Sequence, residues 1–393
     1  MLLTPGLIEF IHSHEQDATD RLLLSAGKYP GVDIPFVVEQ IIARQAAQEK
    51  IPTWHAERRL VYPSRLAVEQ SSSEITAIYK QRLIAGETAC DLTGGLGVDA
   101  YYLSRAAREV IYVERDPTCC RAAQENFAVL NAANTRVLHE DAANAAGSIT
   151  ADTFYIDPSR RTRENKRVFA LADCEPDVLQ LKPLLLERSR RVIVKCSPML
   201  DITETLHLFP ECEEIHVLAV KNECKEVLLL LGREYRPEQA TLHAVNITTG
   251  GEQHFSFTRQ EELEATATQA TAMRAYLYEP NSALLKAGAF KTVATRLDLE
   301  KLHSRGNLYT SDHLLPAFPG RIFAVDEIID FSGKALRLLA ARCQKANITA
   351  RNFTLSVAAL REKSGIKEGG DVYLFATTLV GRGGVLLLCH KAV

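Results

Sequence analysis

Apolar residues three and four apart run through residues 34–48 (IPFVVEQIIARQAAQ), the spacing that one buried helical face requires, and residues 1–84 read as helical throughout. The pattern loosens between Pro52 and Pro63. Ser71-Ser-Ser-Glu74 then gives an S-x-x-E capping signal with Ile75, Ile78, Tyr79 and Leu83 on one stripe behind it, so a helix starting there leads into the next region. From Glu87 the rhythm changes to short apolar runs at 88–92, 109–114, 135–140, 152–157 and 191–196. Helical patterns at 98–107, 117–133 and 175–189 fall between them. Runs rich in Val, Ile and Leu, alternating with helices, predict a parallel sheet covered on both faces. The runs at 212–220 and 224–232 are parted by three residues, enough for a hairpin and too few for a crossover, so that pair is antiparallel.

Beyond Gly232 the pattern predicts a hairpin turning at 248–251, helices at 261–273 and from 282 to about 302, and then a small α+β region. Its strands are expected at 321–328, 348–353, 371–379 and 384–391, with helices at 334–346 and 356–365. The expected organisation is a helical region (1–84), a doubly wound α/β domain (85–232), a hairpin and helical connector (233–279) and two C-terminal pieces (280–319 and 320–393). A length of 393 residues suits several such units.

Composition changes this picture little. No run of about 18 uncharged apolar residues is present, so no membrane span is expected. The N-terminal stretch lacks a basic leader and is interrupted by Glu9, which makes the cytoplasm the expected location. The nine cysteines contain no CxxC pair, the eleven histidines lack zinc-ligand spacing, and no metal is expected. Charge is uneven: residues 301–393 carry 13 Lys and Arg against 7 Asp and Glu, a formal +6, which leaves −9 on the rest. A cationic terminal region on an acidic body suits a nucleic-acid partner.

Candidate chemistry gathers at the ends of the expected strands. The first runs into Asp91-Leu-Thr-Gly-Gly-Leu-Gly-Val-Asp99, where glycines allow a tight turn and close approach of a ligand to bare backbone at a helix start. The loop also fits a dinucleotide fingerprint. Asp91 would repel a diphosphate, however, and would welcome an ammonium or sulfonium group. Glu114, at the end of the second strand and 23 residues after Asp91, is placed to take ribose hydroxyls. Asp141, after the third strand, can accept from an adenine amine. The antiparallel closing pair is foreign to the parallel dinucleotide fold. At the fourth strand, Phe154-Tyr-Ile-Asp-Pro-Ser-Arg-Arg161 ends an apolar run in an acid and a proline, and basic residues follow.

In order and spacing, DLTGGLGVD, VERDP, HEDA and IDPSRR resemble the successive motifs of class I S-adenosylmethionine-dependent methyltransferases. EQSSSEITAIYK (69–80) and VIVKCSPMLD (192–201) resemble segments of a bacterial group with a DP-[AS]-RR motif and a C-terminal THUMP-like domain, and 280–393 looks like a ferredoxin-like piece followed by that domain. The resemblance implies a Rossmann-like seven-stranded sheet and S-adenosyl-L-methionine as cofactor. Asp91, Thr93, Gly95, Gly97 and Asp99 would lie at its methionine end, Glu114 at the ribose, and Asp141 with Ala142 at the adenine. Asp157, Pro158 and Ser159 would form the catalytic segment, with Asp157 accepting from an exocyclic amine. Ser159 and Arg160 replace the second proline and the aromatic ring of the usual (D/N)-P-P-(Y/F) segment, which removes a stacking surface for a flipped base. Arg160, Arg161, Arg163, Lys166 and Arg167 would grip an anionic substrate. THUMP-like domains resemble RNA-binding modules, so the expected partner is RNA, ribosomal or transfer, methylated at an exocyclic nitrogen such as guanine N2. The alternatives are a non-catalytic RNA-binding protein on the same fold, a methyltransferase acting on protein or a small molecule, and a nicotinamide-dependent oxidoreductase.

Overall fold

The computed structural model describes residues 3–160, 174–233 and 239–392. Contacts divide the chain into two compact units, Met1–Glu213 with Val227–Pro237 and Glu214–Glu226 with Glu238–Val393. No helix among the described residues is long and apolar enough to cross a membrane.

The first unit opens with helices. The longest, Ile34–Lys50, begins where the Asp33 carboxylate accepts from the Phe36 N–H at 3.1 Å, and it buries Val37, Val38 and Ile41 against Ile11 and Leu22. Two buried side-chain amides clamp the connection that follows. Gln40 exchanges hydrogen bonds with the Tyr62 backbone (2.7 and 2.9 Å), and Asn126 does the same with Val61 (2.8 Å each). The next helices therefore arrive at the sheet in a fixed position. The expected helix after the serine run is Glu74–Lys80, but its cap is Ser73 and not Ser71. Its buried face also differs from the apolar stripe: Ile75 is exposed, whereas Thr76, Ala77, Tyr79 and Lys80 are buried.

The strands fall where the apolar runs predicted them: β1 (Thr88–Asp91), β2 (Glu109–Glu114), β3 (Thr135–His139), β4 (Thr153–Ile156), β5 (Arg191–Cys196), β6 (Cys212–Val220) and β7 (Glu223–Gly232). Their order is β6-β7-β5-β4-β1-β2-β3, with β7 antiparallel to β5 and the pairs from β5 to β3 parallel. Residues buried on both faces, such as Phe154, Tyr155 and Ile156 in β4, explain why these strands read as unbroken apolar runs. β1 and β4 are neighbours at the point where the chain's direction of travel across the sheet reverses, and ligands bind at such a point.

The sheet is nonetheless larger than expected. The hairpin β8 (Thr241–Thr248) and β9 (Gly251–Thr258), read from the sequence as a connector, continues the sheet: β8 pairs in parallel with β6 over seven residues, giving nine strands among the described residues. The expected helices at 261–273 and 282–302 are shorter. The first ends at Glu264. The second splits into Ser282–Ala287, stopped by the left-handed Gly288, and Thr292–Arg296. Two short helices that the pattern missed, Ala142–Ser148 and Ile202–Leu208, complete the first unit.

The C-terminal region forms a second sheet of β10 (Tyr276–Pro280), β11 (Glu300–Lys301), β12 (Tyr309–Ser311), β13 (Gly320–Asp330), β14 (Asn347–Ala350), β15 (Tyr373–Leu379) and β16 (Gly383–Lys391), in the order β11-β12-β10-β13-β16-β15-β14. The amphipathic helices Gly333–Arg342 and Val357–Ser364 bury Leu336, Leu339 and Leu360 with Leu374, Ala376 and Leu386 of the sheet.

Candidate active site

The loop after β1 is shaped by its glycines. Gly95 (φ +51°) and Gly97 (φ +94°) take left-handed backbone that other residues resist, and a side chain at Gly94 would collide with the Tyr112 ring. Tyr112 Oη donates to the Gly95 carbonyl at 2.6 Å, and the Gly95 N–H donates to Glu114 Oε2 at 2.8 Å. The tip of β2 therefore holds the loop on both sides. A cleft of about 730 Å³ opens beside it, with walls that include Thr93, Gly95, Gly97, Asp99, Glu114 and Lys195.

Of the residues expected from the sequence, the cleft brings together Thr93, Gly95, Gly97, Asp99, Glu114, Asp141, Ala142, Asp157 and Ser159. Asp91 and Pro158 are not on its walls. Asp91 is 1% exposed and lies beneath the loop, where Oδ1 accepts from the Thr93 N–H at 3.0 Å and Oδ2 is buried without a hydrogen-bond partner. Burial, with the negative charges of Asp99, Asp157 and Glu114, pushes the Asp91 carboxyl well above the usual range, against the pull of the Thr93 N–H. Asp141 caps the helix Ala142–Ser148, accepting from the Ala143 N–H at 2.8 Å. Ser159 is exposed, and its hydroxyl donates to the Glu175 carbonyl at 3.3 Å. The Arg160 backbone pairs with Cys174, while Arg161, Arg163, Lys166 and Arg167 lie outside the described residues.

Two lysines that sequence reasoning did not select complete the site. Lys80 is 1% exposed and pairs with Asp99 Oδ1 at 2.7 Å. The other oxygen, Oδ2, accepts from Ser72 Oγ (2.7 Å) and Tyr155 Oη (2.9 Å). Burial raises the Asp99 carboxyl, but the nearby Lys80 and Lys195 ammonium groups and these hydrogen bonds outweigh it and leave a net lowering. Lys195, on β5, donates to Asp157 Oδ2 at 2.5 Å, and the Asp157 N–H donates to Thr93 Oγ1 at 2.7 Å, so the tips of β1, β4 and β5 are joined. Lys195 interrupts the apolar run of β5, and that interruption was the signal available in the sequence; Lys80 lies off the apolar stripe of its helix and gave none.

Comparisons with known proteins place the chain in a family. A crystal structure of a Porphyromonas gingivalis W83 protein with a provisional methyltransferase designation superposes with a TM-score of 0.91, is 37% identical, and is matched over 100% of both chains. An uncharacterized S-adenosylmethionine-dependent methyltransferase of Mycobacterium tuberculosis is 27% identical, over 89% of this chain and 94% of its own. The chain belongs to the S-adenosylmethionine-dependent methyltransferases. The methyltransferase is also similar to ribosomal RNA small subunit methyltransferase J of Shewanella piezotolerans, 37% identical over 28% of this chain and 49% of that one. Residues 276–319 match a ferredoxin-like domain family and residues 320–391 a family described as THUMP domain-like.

S-adenosylmethionine is the cofactor of this methyltransferase, and the residues present fit it. The ligand carries positive charge on its sulfonium and amino groups, and the loop offers a buried, unpartnered Asp91 oxygen among further carboxylates. Glu114, with its carboxylate fixed by the N–H groups of Gly95 and Asp116 (2.8 Å each), is already oriented.

Proposed function

We propose that this methyltransferase acts on RNA, at an exocyclic base nitrogen such as guanine N2, with Asp157 as the residue that orients the amine. The observation that carries this reading is the Asp157–Lys195 pair at the cleft, 2.5 Å across, on the rigid ends of two adjacent parallel strands. An exocyclic amine is a poor nucleophile because its lone pair is delocalised into the ring. A carboxylate accepting from the N–H group draws the pair toward nitrogen, and its effect depends on being held in place beforehand. Lys195 ties down one carboxylate oxygen and leaves the other for the substrate. Thr93 fixes the Asp157 backbone, and Pro158 restricts the turn that follows.

When bound, S-adenosylmethionine supplies a methyl group activated by a sulfonium. Around it, Gly95 and Gly97 leave backbone bare for its methionine end, Glu114 accepts from the ribose hydroxyls, and Asp141 with Ala142 meets the adenine. An RNA substrate is supported by the +6 charge of residues 301–393, by the THUMP domain-like match, and by the similarity to a ribosomal RNA methyltransferase. The basic residues Arg160, Arg161, Arg163, Lys166 and Arg167 follow Asp157 in sequence and would grip RNA phosphates.

The test is incubation of the protein and tritiated cofactor with total RNA from a strain lacking it, followed by nucleoside analysis. Label in one methylated nucleoside, absent with Asp157→Ala, is the expected result. Label appearing only in protein or in small molecules would refute an RNA substrate.

A further inference from the structure

We propose that Arg115 and Glu175 form a clasp across the mouth of the cofactor cleft and gate the exchange of S-adenosylmethionine for its demethylated product. Both residues line the cleft, and Arg115 Nη1 donates to Glu175 Oε1 at 2.7 Å. The pair comes from two sides of it. Arg115 follows the tip of β2, whereas Glu175 is held beside Ser159, two residues beyond Asp157 at the tip of β4. β1 runs between β2 and β4, and neighbouring strands lie about 4.8 Å apart, so the ion pair reaches over the tip of β1, from which the glycine loop rises. Arg115 has an acid on either side of it in the chain, Glu114 and Asp116. These accept from backbone N–H groups of Gly95, Asp116, Thr118 and Cys119, and the arginine pairs with the acid across the cleft.

The backbone at each end of the clasp is tied down, while the side chains that meet are not. The Arg115 carbonyl accepts from His139 Nε2 at 3.0 Å, which fastens it to β3. Glu175 pairs with Ser159 in a short antiparallel ladder, and its carbonyl accepts from the Ser159 hydroxyl at 3.3 Å. The two side chains remain 59% and 46% exposed. An ion pair so open to water is worth little and is screened by salt, so it breaks and re-forms readily. Fixed ends with a weak link between them let a ligand pass without disturbing the fold. Gating of this kind is independent of what accepts the methyl group.

Surface plasmon resonance of S-adenosylhomocysteine over captured full-length protein measures entry and exit together. A gate that closes in both the free and the bound protein slows both, so Arg115→Gln and Glu175→Gln should each raise the association and dissociation rates about two- to fivefold and leave Kd unchanged. The double variant should be no faster than either single one. The two substitutions change the charge of the cleft in opposite directions, so a matching effect reports the bridge and not the field around it. In the wild-type protein, raising NaCl from about 0.05 to about 0.5 M should speed both rates, and in Glu175→Gln it should not. Wild-type rates in both single variants, opposite effects of the two, or a change in Kd carried by dissociation alone overturns the clasp, the last by making the residues direct cofactor contacts. Wild-type rates that ignore salt overturn it as well, with no variant involved.

Discussion

Asp91, buried, and Asp99, half-buried at the cleft wall, stand at opposite ends of one glycine loop, and the protein treats them in opposite ways. Asp99 is surrounded by Lys80, Ser72 and Tyr155, and its carboxyl is lowered overall; Asp91 keeps one oxygen without a partner and is raised. A buried charge that a fold must carry for its own integrity is paired internally. One left unpaired at the end of a central strand, under a loop built for close approach, is what a cationic cofactor bound over that loop would compensate, which is the role we propose for Asp91. Asp157, paired with Lys195 at the cleft wall, lies between these cases: structurally anchored, yet 33% exposed to the cleft.

The largest expected effect falls on Asp157, the anchored acid that we propose meets substrate. Asp157→Asn should lower single-turnover methyl transfer by about 100–1000-fold, the range for removing an oriented polar group from a reacting centre, while S-adenosylhomocysteine still binds. Next is the compensated aspartate. Lys80→Met strands Asp99 and should cost about 3–5 kcal/mol of unfolding free energy in urea. Smaller is the loss at Glu114: the alanine variant should bind S-adenosylhomocysteine about 1–3 kcal/mol more weakly by calorimetry, the cost of leaving hydrogen-bonding groups unmet.

The smallest effect concerns Asp91 in the ligand-free protein. Its folded-state carboxyl is raised, so the folded protein holds that proton more tightly than the unfolded chain does. The stability it contributes is present below the ordinary aspartate value of about 3.9 and is lost as pH rises through the folded value. Asp99 works in the opposite sense, contributing stability above the ordinary value that disappears as pH falls through its lowered one. Melting temperatures across this range should lose the Asp91 component in Asp91→Asn and keep that of Asp99.

Much of this arrangement was legible in the sequence because strand tips announce themselves. An apolar run ending in an acid marks Asp91, Glu114 and Asp157, and a three-residue gap forces the β6–β7 hairpin. What could not be read depended on register and on broken patterns. Lys195 interrupts the apolar run of β5 and Lys80 lies beside the apolar stripe of its helix, and a lone lysine at either place reads as a solvated position until a carboxylate is placed beside it. The helix Ala142–Ser148 (AANAAGS) has no apolar periodicity to detect. The β8–β9 hairpin gave away its own turn but not its partner, since parallel pairing with β6 leaves no local mark. Over 282–302 apolar spacing outlasted the helix, which Gly288 and the left-handed Asp298 break.

The proposed role of Asp91, left uncompensated for a cationic cofactor, is tested most directly by proton release. Calorimetry of S-adenosylmethionine binding at a series of pH values between 4 and 7, where the ligand's amino group is already protonated, in two buffers of different ionisation enthalpy reads the protons exchanged on binding at each. The expected result is net release of protons by the wild-type protein and none by Asp91→Asn. No release by the wild type, or equal release by both proteins, would contradict the account.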